Sequence, residues 1–587
     1  MSARTFALLV ALLAPGIAAA QSASQRLDQL ADDAYERALD LFPFSETFGR
    51  GAGPRQDKLE ITFSDEHRER QRAYHRWILA ELDQIPPGEL DRSEKLTHAL
   101  LAWRSRDSLE WLARPWHYHY LFIQLNGGVA YNLVQLIDRQ PFRNAADYQA
   151  WFRRVHRYPA LLEATAATMR EGAAAGITTP RVLVERALPQ LEALAPEEME
   201  KSALWRPMTR FPASMSAAER AAAEAEYRKL LAEEMFPAIR KLATFVRNDY
   251  LPHARTTDGF GALPGGAEMY RYAVRSETTT ELTPEEVYAL GLSEVKRIQP
   301  LFLAAGARAG FKGEIKDVYP WLQTSAANYP FHSPEEVIAY LNAINARIVP
   351  QLPRLFSRLP KARFEIRPTD PAIAASTPAQ YYAPSDDGTR PGVFAMPIVD
   401  PRRVSTFGLA ALLAHEGMPG HHFDISRKLE MKASEFRRHT YYNAYGEGWG
   451  LYAESLGQEM GLYDAPLELM GRYSYELWRA CRLVVDTGLH AKGWTREQAI
   501  RYMVGECAQT EGNSTLEVLR YMAWPGQALG YKIGELTLLE LRAKAQKQLG
   551  ARFDLRAFHE VVLGEGHLPL SLLRQQVDAW IATQDAK

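Results

Sequence analysis

Residues 412–422 read Leu-Leu-Ala-His-Glu-Gly-Met-Pro-Gly-His-His, placing His415 and Glu416 a few residues before His421 and His422. Two imidazoles with a carboxylate between them are the residue set of a His-Glu-x-x-His zinc helix, in which the histidines hold the ion and the glutamate takes a proton from water. The spacing departs from that pattern. At 3.6 residues per turn His421 falls about 120° away from His415, and His422 about 20° away but two turns distant, so neither pair chelates one ion from an unbroken helix. Gly417, Pro419 and Gly420 supply a remedy. Proline removes a backbone donor and glycine accepts unusual dihedrals, so the helix can break there and bring a second imidazole back to the first. His421 and His422 are rivals for that second place. The plain alternative is a helix end carrying a histidine cluster and no metal.

A third ligand is offered by residues 441–454, Tyr-Tyr-Asn-Ala-Tyr-Gly-Glu-Gly-Trp-Gly-Leu-Tyr-Ala-Glu. A carboxylate among aromatic and small residues needs a partner. Glu447 and Glu454 are seven apart and so share a helix face; one can bind metal while the other orients a ligand imidazole from behind. Glu447 is read as the ligand.

At these residues the chain resembles a bacterial family known as domain of unknown function 885, which is grouped with the gluzincin-like zinc metallopeptidases. The resemblance rests on His-Glu-Gly-Met-Pro-Gly-His-His at 415–422, Gly-Glu-Gly-Trp at 446–449, Arg482-Leu-Val-Val-Asp486-Thr-Gly-Leu-His490, and the segment from Arg520-Tyr521 through Pro525-Gly526-Gln527-Ala528 to Tyr531-Lys532 and Gly534. It reaches from Leu263-Pro-Gly-Gly to Leu568-Pro-Leu and implies a mainly helical peptidase fold with a deep cleft, similar in plan to angiotensin-converting enzyme and thimet oligopeptidase. The implied activity is removal of residues or dipeptides from peptide C-termini. The implied cofactor is one zinc ion on His415, His421 and Glu447, with Glu416 as general base.

Such a reaction needs a donor for the tetrahedral oxyanion besides the metal. Tyr521, which resembles the segment supplying a transition-state tyrosine in angiotensin-converting enzyme, and His490 are the candidates; Asp486, four residues before His490, is placed to set its tautomer. Arg482, Arg520, Tyr531 and Lys532 are candidates for binding the substrate carboxylate. The apolar segment from Gly392 to Val399 reads as a strand, either part of a small sheet or a strand that holds the peptide by edge pairing. A deep helical cleft excludes folded proteins, so the expected partner is a short peptide.

These groups must be positioned by helices. Ser216 with Glu219, Thr283 with Glu286, Ser333 with Glu336 and Thr495 with Gln498 predict helix starts, two of them with proline at the first helical position. Strand-like segments are scarce, so a mainly α fold with one small sheet is expected. The glycine-rich stretch from Thr256 to Gly266 divides an N-terminal helical half, 21–258, from a C-terminal half, 259–587, which carries the metal site. The two are expected to form one catalytic unit.

Composition narrows the function further. The chain has 587 residues, 47% hydrophobic and 24% charged, with a net charge of -2; this is a packed globular protein without the basic field that nucleic acid requires. Gly259-Phe-Gly261-Ala-Leu-Pro264 fails the dinucleotide fingerprint, and neither a phosphate loop nor a Gly-x-Ser-x-Gly elbow occurs. Residues 1–20 read as a signal peptide cleaved before Gln21, with an apolar run from Phe6 to Leu13 too short to span a bilayer. The expected location is therefore periplasmic or secreted, without membrane insertion. No cysteine follows the cleavage site to carry a lipid. Cys481 and Cys507 are read as buried free thiols, the common case in apolar helices, with a single disulfide as the alternative. Two rivals to the peptidase are a zinc amidohydrolase acting on non-peptide amides or cell-wall fragments, and a peptide-binding protein that retains the metal without turnover. The intact Glu416 argues against the second.

Overall fold

The computed structural model describes residues 21–119, 128–371, 374 and 378–585; the signal peptide expected over residues 1–20 lies outside them. The fold is mainly helical, with a single three-stranded sheet among the described residues. The helix starts follow the local chemistry. Ser216, Thr283 and Thr495 each accept from the backbone N–H three residues on, and Glu219, Glu286 and Gln498 reach back to close the box. Ser333 caps its helix in the same way, but the Glu336 carboxylate accepts from the N–H of His332, one residue earlier.

Helices α1 (Ala23–Leu41), α2 (Arg92–Leu112) and α3 (Gly266–Thr278) share one buried cluster with the C-terminal helices: Leu27, Leu100 and Val274 belong to the same core as Trp449 and Ile533. Residues 129–254 build a second core around Trp151, Tyr227 and Ile239. Helix α4 (Pro284–Arg308) packs along a long later helix, where Gly291 lies so near Leu483 that a Cβ would come within 2.7 Å of it. The stretch expected to link the two halves is itself packed, since Phe260 is buried and its N–H donates to His490 Nδ1 at 3.1 Å.

The sheet consists of β1 (Phe364–Pro368), β2 (Gln380–Tyr382) and β3 (Gly392–Met396) in the order β1-β3-β2. β3 runs parallel to β1 and antiparallel to β2, with Phe394 opposite both Ile366 and Tyr381. Of the two readings of the 392–399 segment, the structure bears out the strand of a small sheet over the peptide-pairing strand. β3 ends at Met396, and as the central strand it has both edges already hydrogen-bonded.

Five helices then carry the site: α5 (Leu409–Glu416), α6 (His421–Leu429), α7 (Asn443–Leu456), α8 (Pro466–Ala491) and α9 (Glu511–Ala523), with α10 (Gly530–Leu549) closing it. α7 and α10 cross at Gly448 and Gly534; a Cβ at Gly448 would lie 2.4 Å from the Gly534 Cα, so only glycine permits this approach. No helix of the described residues is long and apolar enough to cross a membrane.

The cysteine reading is overturned. Cys481 on α8 and Cys507, at the end of the neighbouring helix, form a disulfide with their Cα atoms 6.1 Å apart. Packing of the two helices brings them within disulfide reach, a proximity that a separation of 26 residues hides.

Candidate metal centre

The break in the zinc-like segment is built as the glycines and proline suggest. α5 ends at Glu416, Gly417 and Gly420 flank a cis Met418–Pro419 bond, and α6 begins at His421. Gly420 rides directly over the last turn of α5, where a Cβ would fall 1.9 Å from the His415 carbonyl oxygen. Trp449 of α7 fastens the loop by donating Nε1–H to the Pro419 carbonyl at 2.9 Å. The break therefore folds α6 back on α5, and the His415 and His421 rings meet at 4.7 Å between centroids, nearly perpendicular.

Glu447 joins them from α7. Its Oε2 lies 3.4 Å from His415 Nε2 and 3.3 Å from His421 Nε2. These atoms all fall within 4.8 Å of one another, and among the described residues they are the one such convergence of metal-ligating groups. The contacts are too poorly aligned to be hydrogen bonds, so Glu447 Oε2 is a buried oxygen without a hydrogen-bond partner. The spacing has a direct reading: ligand atoms around a tetrahedral zinc with bonds of about 2.0–2.1 Å lie about 3.3 Å apart. The donor set, the distances and the orphaned oxygen fit a metal ion.

Electrostatics around the cluster are dominated by burial and by these close contacts. Burial disfavours a charged His415, but its contacts with Glu447 and Glu454 outweigh that and push its pKa up to about 10 in the metal-free protein. Burial works against ionised Glu447 as well, yet the two imidazoles hold it well below the usual carboxylate range. Glu416 shows the opposite balance: burial raises its pKa, and the imidazoles of His415 and His421 only partly offset that.

Behind His415 stands Glu454, accepting Nδ1–H at 2.9 Å. This bond leaves the Nε2 lone pair facing the cluster, so that Glu447 stands in front of the His415 ring and Glu454 behind it. Gly450, between them on α7, makes room for the ring: a Cβ there would lie 2.6 Å from His415 Cε1. His422 is turned away. Its Nδ1 meets the Tyr381 hydroxyl at 3.0 Å, its Nε2 faces the Ala362 carbonyl at 3.3 Å, and burial lowers its pKa to about 4, so it is a neutral packing residue against the sheet.

The remaining site candidates separate into two groups. His490 and Lys532 are corrected. Nδ1 of His490 accepts from Phe260 N–H, its Nε2–H donates to the Tyr521 carbonyl at 3.0 Å, and Asp486 bonds instead to the Tyr270 hydroxyl at 2.6 Å and to Gly526 N–H. With both nitrogens engaged and the ring fully buried, His490 has no donor left for a substrate. Lys532 is buried in an ion cluster with Glu535 at 2.6 Å, Glu476 at 2.9 Å and Glu294 at 3.1 Å, so its charge is already met. The Tyr521 phenol is also committed, donating to Glu517 at 2.7 Å and accepting from Arg482 Nε at 3.1 Å.

Tyr531, Arg482 and Arg520 are brought together beside the cluster. The Tyr531 ring stacks on the His415 ring at 6.1 Å and 18°. Its oxygen accepts from Arg520 Nη2 at 3.0 Å, which leaves its own proton free to donate. The Arg482, Arg479 and Arg520 guanidinium carbons lie 4.3, 5.9 and 5.9 Å from the Tyr531 ring centre. Glu517 is the carboxylate between Arg482 and Arg520, at 2.9 and 3.6 Å, while Arg479 faces Glu454 at 3.7 Å. Arg482 Nη1 and Arg479 Nε are buried without hydrogen-bond partners, so positive charge and donors are in excess here. Arg479 escaped the sequence reading. The available signal was its spacing: Arg472, Glu476, Arg479, Arg482, Asp486 and His490 recur along one face of a buried helix, where solvation does not explain charge.

A model of bacterial proteins of unknown function, DUF885, matches residues 45–577. No curated protein matches the chain. A solved structure of a Colwellia psychrerythraea protein designated a lipoprotein superposes with a TM-score of 0.91 at 27% identity, over 96% of this chain and 100% of that one. A Shewanella oneidensis protein, designated a lipoprotein of unknown function, shares the fold with a TM-score of 0.72 at 19% identity, over 95% and 99% of the two chains.

Proposed function

Because the chain belongs to the bacterial DUF885 family, we propose that it is an exported zinc-dependent hydrolase of short peptides, acting as a carboxypeptidase or dipeptidyl carboxypeptidase. The observation that carries this reading is the convergence of His415 Nε2, His421 Nε2 and Glu447 Oε2 next to Glu416. Export is supported by the leader-like first twenty residues and by the lipoprotein designation of the Colwellia neighbour.

His415, His421 and Glu447 would hold a zinc ion, which would supply the Lewis acidity that acidifies water and polarises a carbonyl. Glu416 is the proton carrier. Its carboxylate, next to His415 in the chain and held up in pKa by burial, takes the proton of the attacking water and returns it to the leaving amine. Glu454 holds the His415 tautomer. The free phenol proton of Tyr531, stacked against His415, takes the oxyanion-donor role expected of Tyr521. Arg479, Arg482 and Arg520, with one carboxylate between two of them, bind the substrate carboxylate; Arg482 and Arg520 keep the role expected from sequence, and Arg479 joins them.

The test is elemental analysis of the purified mature protein together with mass spectrometry of products from a mixed short-peptide library, with and without chelator. About one zinc per chain and chelator-sensitive trimming of C-termini are expected. Zinc without peptide products, but with turnover of N-acyl amino acids, would favour the amidohydrolase; a protein without metal would refute the site. Within this reading, Glu454→Gln is expected to weaken zinc binding about 10- to 100-fold, because the His415 tautomer loses its charged anchor. A competition titration giving the wild-type affinity would exclude that role.

A further inference from the structure

A cavity of about 240 Å³ lies outside the metal cluster and is lined by Trp111, Trp116, Tyr272, Ser276, Glu277 and Trp524. It presents aromatic faces and a single carboxylate. The Trp116 and Tyr272 rings stand 5.9 Å apart, and Trp524, also in the lining, is 41% exposed. Among the described residues Glu277 has no ion-pair partner: the side chains that contact it are Trp524 and Asn443, and the largest charge effects on it come from Asp486 and Asp107. Arg114 and Arg275, which stand over the ring of Tyr272 in the cavity lining, are already paired with Glu110. Burial first, then the neighbouring aspartates, push the Glu277 pKa up to about 8, the state of a carboxyl that lacks a counter-ion.

The cavity is joined to the metal cluster through α7. Asn443, which touches Glu277, begins the helix four residues before Glu447, on the same face and about 6 Å along the axis. Its side chain exchanges hydrogen bonds with Gln527, whose Oε1 accepts from Arg520 at 2.7 Å. Tyr441, 45% exposed, stands where the Glu447 and Glu277 carboxylates both act on it. A relay of side chains therefore links Arg520 through Gln527 and Asn443 to Glu277.

We infer that this pocket is the subsite for the free amino terminus of the substrate, whose ammonium is held against Glu277 and the faces of Trp111, Trp116, Tyr272 and Trp524. The chemistry fits: aromatic faces attract an ammonium, and a carboxylate without a counter-ion completes its charge. The inference rests on the peptidase reading and sharpens it. An extended peptide advances about 3.3–3.6 Å per residue, so an ammonium at Glu277 and a scissile carbonyl near Glu447 leave only a few residues between them. With the arginines reading the carboxylate, the substrate class is short peptides with both termini free.

Binding is measured by calorimetry on zinc-loaded Glu416→Gln protein, using tri-alanine, N-acetyl-tri-alanine and N-acetyl-lysyl-alanyl-alanine. Tri-alanine is expected to bind about tenfold more tightly than its acetylated form, and the gap to close when Glu277→Gln is added. Trp524→Leu serves the same purpose if Glu277→Gln lowers the unfolding temperature. Equal binding of the first two peptides, or a gap that persists in both variants, would overturn the subsite; full recovery of affinity by the acetylated lysyl peptide would overturn its assignment to the amino terminus. Turnover is scored separately on the wild-type protein. Cleavage without a preference for free amines refutes this subsite and keeps the peptidase, whereas a Glu277-dependent preference without cleavage keeps the subsite and refutes hydrolysis.

Discussion

Glu416→Gln is expected to lower kcat on a short peptide by about 10²- to 10⁴-fold while the protein retains its zinc. Of the three carboxylates around His415, Glu416 has neither a ligand position nor a tautomer to hold: Glu447 faces the two imidazole nitrogens and Glu454 is bonded behind His415. Glutamine has the same shape but cannot accept the proton, so the loss falls on the chemical step and not on metal or peptide affinity. Zinc content, KM and kcat measured together check this. Full activity in the metal-loaded variant would remove Glu416 from the mechanism, and loss of zinc would mean that it is a ligand.

The second large effect is a contrast between adjacent residues. His421→Ala is expected to abolish stoichiometric zinc binding and with it all activity, because a site of three protein ligands loses one. His422→Ala is expected to keep about one zinc per chain. The reason is orientation. His421 Nε2 faces Glu447 at 3.3 Å, whereas the His422 ring lies against Gly392 and Tyr381 of the sheet. The cost of His422→Ala falls on stability, through loss of a buried ring that packs at a tilt against Phe364, 4.7 Å between centroids. Elemental analysis of the two variants with thermal unfolding of both decides the matter. Zinc retained in His421→Ala and lost from His422→Ala would reverse the assignment.

Local chemistry carried a large part of this. The capping pairs opened helices where expected because a hydroxyl and a carboxylate or carboxamide three residues apart satisfy backbone donors whatever surrounds them. His415, Glu416 and the pair Glu447 and Glu454 were legible because charged groups amid alanine, glycine and aromatic residues have no solvent to meet. His490 and Lys532 were misread for a related reason: polarity inside an apolar helix signals a partner but not which one, and theirs turned out to be a backbone carbonyl and three carboxylates.

Sequence by itself determined the helical class, the helix starts, the place where α5 breaks and the residue types available for metal and proton transfer, since periodicity, capping and the Gly-Met-Pro-Gly interruption act within a few residues. Tertiary structure alone decided which imidazole returns to His415, which phenol stays free, that Arg479 belongs beside Tyr531, that the cysteines are joined, and that Glu277 is left among aromatic rings without a cation. Each of these depends on how helices distant in the chain cross: Gly448 lets α7 meet α10, Gly291 lets α4 lie against α8, and β2 and β3 hold His422 out of the cluster. Such contacts are set by shape and close packing between surfaces, which no spacing along one chain segment records.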